Sequence, residues 1–130
     1  MTRELDEAGH LRKARGFLEE ARAADPASLP HALVHLCYYA MYHGVAAVLM
    51  RAHGNAPTSH GRAIYQGSTL LAERLGSEGD RAGEAIYRAY QLRLLVDYQA
   101  DPDHLVQRAT ELRDEAEDVL VLCGKLLDGE

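Results

Sequence analysis

Between Leu29 and Met50 the chain runs LPHALVHLCYYAMYHGVAAVLM, without a single Asp, Glu, Lys or Arg. At 3.6 residues per turn, Leu33, Cys37, Ala40, Gly44 and Val48 form one apolar stripe. Leu36, Ala47 and Met50 widen it on one side, and Val34, Met41 and Val45 on the other. A helix that is apolar nearly all round must be covered by other helices or by lipid. The stretch reaches the length of a membrane span. However, His31, His35, His43 and the hydroxyls of Tyr38, Tyr39 and Tyr42 would each need a partner in hydrocarbon. The pattern therefore predicts the central helix of a bundle, with no membrane contact.

The flanking segments supply its neighbours. Leu5, Ala8, Leu11, Ala14, Phe17 or Leu18, and Ala21 recur at helical spacing and predict a first helix from about Thr2 to Ala24, stopped by Asp25-Pro26. Ser28 is placed to cap the central helix, with Pro30 in its first turn. His53-Gly54-Asn55 is a stop signal, after which Thr58 or Ser59 caps a shorter third helix through Leu75, with Ile64, Gly67, Leu71 and Leu75 inward. The run Gly76 to Asp80 predicts a break, and a fourth helix follows over about Arg81 to Tyr98. Asp101-Pro102 has the form of a cap and first turn. Leu105, Ala109, Leu112, Ala116, Val119, Cys123 and Leu126 then trace the seam of a last helix in alternating steps of four and three. No stretch alternates with period two. The expected class is all-α: an up-and-down bundle of four long helices plus one short helix.

Composition narrows the function. A chain of 130 residues is the size of one domain with one core, taken here as residues 1–130. A formal net charge of −6 argues against a broad, nonspecific nucleic-acid surface, although a local basic site remains compatible with it. Cys37 and Cys123 fall on apolar helical positions, so they read as small hydrophobes rather than a disulfide framework. The start, MTRELDEAGHLRKAR, lacks an apolar signal core, and the expected location is cytoplasmic.

The chemistry concentrates near the end of the fourth helix, YRAYQLRLLVDYQ. Ile86, Tyr90, Arg93 and Asp97 share one direction on the wheel, flanked by Ala85, Ala89, Leu92 and Val96 on one side and by Tyr87, Leu94 and Tyr98 on the other. Charges on such a seam need a partner or a water-lined cleft. Two readings stay open: an ion pair that fixes helix packing, or an anion site with the Arg93 guanidinium as its fork. His60 follows a cap position, either in the first helical turn or lining a cleft. Tyr39 and His43 lie on the central helix, as core or contact residues or as surfaces for bases. His31 and His35, one turn apart, lack a third ligand, so no metal and no cofactor is expected.

Three segments in order, CYYAMYHGVAAVLMRAHG, TSHG and RLLVDY, resemble the HEPN domain. The likeness is to the small single-domain branch associated with nucleotidyltransferase partners and toxin–antitoxin systems, and it covers about Leu29 to Tyr98. The resemblance implies a helical homodimer in which the fourth-helix arginines of both protomers face one cleft. It also implies that catalytic members are metal-independent RNases, in which an Arg and a following His activate the ribose 2′-OH and stabilise the cleaved phosphate. Arg93 matches the Arg. The expected histidine position holds Tyr98, Gln99 or Ala100, and Leu94 follows the Arg where catalytic members carry a polar residue. The implied function is thus a module that binds a nucleotide, RNA or a nucleotidyltransferase-type protein through Arg93, Asp97, Tyr98, His60, Tyr39 and His43. The alternative is an RNase toxin in which Asp97, Tyr98 or His60 gives non-standard acid–base help to Arg93.

Overall fold

Asp6 opens the first helix: its carboxylate accepts a hydrogen bond from the Gly9 backbone N–H at 2.7 Å, satisfying one of the amides left free at a helix start. In the computed structural model, which describes residues 5–96 and 102–128, α1 spans Glu7–Ala23. The Asp6 cap replaces the start expected near Thr2, which lies outside the described residues. Ala8, expected on the buried side, is exposed. Gly9 is buried in its place, with Leu5 and Asp6 folded over it.

The second helix, α2, spans Pro30–His53. Ser28 does not cap it. The Ser28 hydroxyl instead donates to the Asp25 carboxylate at 2.7 Å, and the N-cap position falls to Leu29. Pro30 in the first turn needs no amide partner, which makes a side-chain cap less necessary. The helix ends as its sequence predicts: Gly54 turns left-handed at φ 81°, and its N–H reaches the Met50 carbonyl at 2.9 Å.

Ser59 caps α3, His60–Leu75, accepting from the Arg62 N–H. The break expected over residues 76–80 shrinks to Gly76, because α4 already runs from Ser77 to Leu95. Gly79 falls inside that expected break. It is the residue that lets α4 start hard against α3, since a Cβ there would lie 1.9 Å from the Leu71 carbonyl oxygen. The last helix, α5, covers Pro102–Leu127.

The result is an up-and-down all-α bundle, with no strand among the described residues. The central helix α2 touches all four others. Its Leu33, Val34, Cys37, Tyr38, Met41, Val45 and Leu49 are fully buried or nearly so. By length and composition α2 could cross a membrane, yet 72% of its apolar window is covered by the bundle itself. The predicted α5 seam is buried from Leu105 to Cys123, with Leu127 rather than Leu126 completing it. Gly44 brings α2 close to α5, where an added Cβ would already touch Cys123 and Leu120 at 3.4 Å. Ion pairs Arg51–Glu7, Arg22–Glu117 and Arg88–Glu115 cross between elements at the surface. Such exposed pairs contribute ~0–1 kcal/mol each, so the apolar core carries the fold.

Candidate functional site

Three helices meet around one guanidinium. α4 carries Arg93 and, one turn earlier, Tyr90. α2 presents Tyr38, Tyr39 and Tyr42. The Ser59 cap fixes the start of α3 and with it His60. The Arg93 guanidinium carbon lies 4.7 Å from the centre of the Tyr38 ring, 5.8 Å from Tyr90 and 6.0 Å from Tyr39. A cation over aromatic faces gains ~0.5–2 kcal/mol, more as water is excluded.

That stacking leaves the Nε donor uncommitted. The Arg93 Nε is buried without a hydrogen-bond partner, and no carboxylate among the described residues pairs with the guanidinium. A buried N–H left unpaired costs ~1–3 kcal/mol. The side chain is therefore held in place by rings, with its enclosed Nε donor unmatched among the described residues.

Tyr38 connects this cation to His60. Its ring underlies Arg93, and its hydroxyl is 2.7 Å from His60 Nδ1. His60 also stacks on Tyr42, ring centres 4.0 Å apart. Burial, and then the Arg93 charge, push the His60 pKa below its ordinary value. Burial pushes the Tyr38 phenol up, against a smaller opposing effect of Arg93. Both groups are neutral near pH 7, and the imidazole keeps a lone pair. Tyr90 closes the other side: a Cβ on Gly61 would sit 3.5 Å from the Tyr90 hydroxyl, so that hydroxyl lies against the first turn of α3.

The structure thus unites Arg93, His60 and Tyr39. His43 sits one turn further along α2, in a second group. Its Nδ1 is 3.0 Å from Nδ1 of His10 on α1, its ring stacks on Phe17 at 5.7 Å, and its edge meets Tyr42 at 5.1 Å. Burial, with His10, Lys13 and His60 adding to it, brings the His43 pKa down to about 4. Asp97 and Tyr98 lie outside the described residues. His31 is exposed and His35 half-buried. Among the described residues no group of three His, Cys, Asp or Glu could hold a metal ion.

The seam expected around Arg93 has two different sides. Ala85, Ala89 and Val96 are buried, whereas Tyr87 and Leu94 are about half exposed, and Leu95 beside them is 57% exposed. Arg93 therefore stands at the boundary between the core and an apolar outer face of α4.

The sequence places Tyr90 on the Arg93 face, at i, i+3 spacing, without marking it as a site residue; one further contributor has no such signal. Tyr38 gave no local signal; a phenol on an apolar stripe reads as core, and its link to residues 22 positions away exists only in the fold.

A family model described as the HEPN domain matches residues 8–128, nearly the whole chain. No curated protein matches the sequence at a significant level.

Proposed function

The chain belongs to the HEPN domain family, a helical module of nucleotide- or RNA-related character, and from that premise we propose that it binds a nucleotide or short RNA by a phosphate held on Arg93. The observation that carries this reading is the half-buried guanidinium fixed over Tyr38 with no carboxylate partner among the described residues. Phosphate oxygens supply the acceptors that such a fork lacks, in bidentate geometry. On this reading the protein is a homodimer that places two such sites at one cleft. The exposed Tyr87, Leu94 and Leu95 beside Arg93 give the contact face. The same face suits a nucleotidyltransferase-type partner, in a toxin–antitoxin or nucleotidyltransferase-linked pair.

Arg93→Ala is expected to weaken binding of a 5′-nucleotide about tenfold or more, the size of one charge-assisted contact, with little change in helical content. Titration calorimetry on wild type and variant reads this directly, and equal affinities would refute the assignment. Light scattering should give twice the monomer mass; a monomer at high concentration removes the shared cleft.

A second reading has its own observation. His60 is neutral, held by Tyr38 and adjacent to the phosphate fork, so it supplies from α3 the imidazole missing after Arg93. A metal-independent RNase would then use His60 as base and Arg93 to stabilise the cleaved phosphate. Chelator-treated protein should cut RNA, and His60→Ala should abolish the cutting; intact RNA with concentrated wild type removes this reading.

A further inference from the structure

We propose that the hollow between α4 and α5 is a self-complementary contact for a second copy of this chain, separate from the face beside Arg93 and independent of any phosphate bound there. The hollow measures about 610 Å³. Its apolar lining is Ala82, Ala85, Val119 and Leu122, and Val121 stands exposed at its edge. Lys125 and Glu78, 3.9 Å apart, bridge one end, and Arg88 and Glu115 bridge the other. The two helices therefore run in opposite directions along it. The midpoint between the bridges falls at Gly83 on α4 and at Leu120 on α5.

The order of charges along the walls selects the occupant. α4 presents Glu78, Arg81, Glu84 and Arg88 in turn, and α5 presents Glu115, Asp118 and Lys125. A twofold axis crossing the hollow at its midpoint sets each helix antiparallel to its own copy. Glu78 then faces Arg88 of the second copy, Arg81 faces Glu84, and Glu115 faces Lys125, and symmetry makes each contact twice. Of the lining charges Asp118 alone meets no opposite charge; it is exposed and keeps its water.

An axis running along the hollow would only exchange the two bridges between copies. Arg81 would then face Leu122 and Glu84 would face Val119, so the crossing axis is the better match. A foreign helix would have to reproduce this reversed charge order, whereas the chain already carries it. Exposed pairs add little affinity singly, but together they fix register and exclude wrong partners. Val121 and Leu122 of both copies supply the apolar centre. Leu94 lies about 16 Å beyond Gly83 along α4. The two faces are thus used together, and concentrated protein passes beyond a dimer.

Sedimentation equilibrium of Leu94→Glu, which removes the face beside Arg93, isolates the hollow. This variant should still dimerise, more weakly as salt rises. Adding Arg81→Glu, or instead Glu84→Arg, should weaken that dimer about tenfold or more, because each reversal sets like charges together twice. An equal mixture of the two reversed chains should restore it, since their charges match across the axis. Both reversals in one chain should restore it as well. Circular dichroism confirms that each variant keeps its helices. A monomeric Leu94→Glu protein beside a dimeric wild type would overturn the hollow contact and spare the face beside Arg93. A dimer indifferent to either reversal, or a mixture no tighter than its components, would also overturn it.

Discussion

Gly79→Ala should cost the protein about 3 kcal/mol of stability or more, although alanine is the better helix former by ~1 kcal/mol. Gly79 lies in the first turn of α4 and is buried. A Cβ built there lies 1.9 Å from the Leu71 carbonyl oxygen, 2.4 Å from its carbon and 2.9 Å from the Ala72 nitrogen. These are backbone atoms of α3, so no rotamer change relieves the clash, and the two helices must separate. Gly67→Ala meets Val45 Cγ1 at the same 1.9 Å, but there the obstacle is a side-chain methyl, which can shift in part. Gly124, inside α5 with nothing within 4 Å of an added Cβ, is the matched control. Gly124→Ala should gain up to ~1 kcal/mol from propensity alone. Denaturant unfolding of the two variants separates the effects; a Gly79→Ala protein as stable as wild type would show that α3 and α4 do not pack this closely. Because α3 carries His60 and α4 carries Arg93, separation should also disrupt the cleft.

Between pH 6.5 and 4 the protein should lose on the order of 2 kcal/mol through His43 alone, after allowance for the solvent that still reaches its ring. The folded pKa is about 4, against an ordinary 6.5. In this window the unfolded chain takes up a proton that the native state refuses. The stabilisation is thus complete above pH 6.5 and lost as pH falls through the folded value. His10 and His60 are shifted in the same direction, chiefly by burial, and steepen the loss. The geometry shows the conflict: His10 and His43 face each other through Nδ1 at 3.0 Å, an arrangement that holds one shared proton and not two. Denaturation curves at several pH values should show His43→Gln with a flatter dependence than wild type, whatever its stability at pH 7.5. Equal slopes would mean that His43 titrates normally.

The fold was largely legible because its strongest signals are local. A charge-free central stretch, a glycine after His53 and a serine before His60 each act within one turn, and each does in the structure what its chemistry predicts. The errors came where a residue answers to a distant neighbour. Ser28 has cap chemistry but is taken by Asp25. The glycines after Leu75 read as a turn because glycine weakens isolated helices, whereas contact with α3 decides their conformation. Arg93 was legible from its place on a seam. Its bridge to His60 was not, since Tyr38 sits in the apolar pattern and its hydroxyl finds its partner only once α2 and α3 are side by side.

Cys37 and Cys123 lie fully buried, with burial raising both thiols to about 12. Neither forms a thiolate at neutral pH, and neither meets solvent while the helices stay closed. Alkylation of the native protein therefore proceeds only as fast as the bundle breathes open. Its rate is a built-in clock for excursions from the closed state, and mass spectrometry on untagged, wild-type chain can read it.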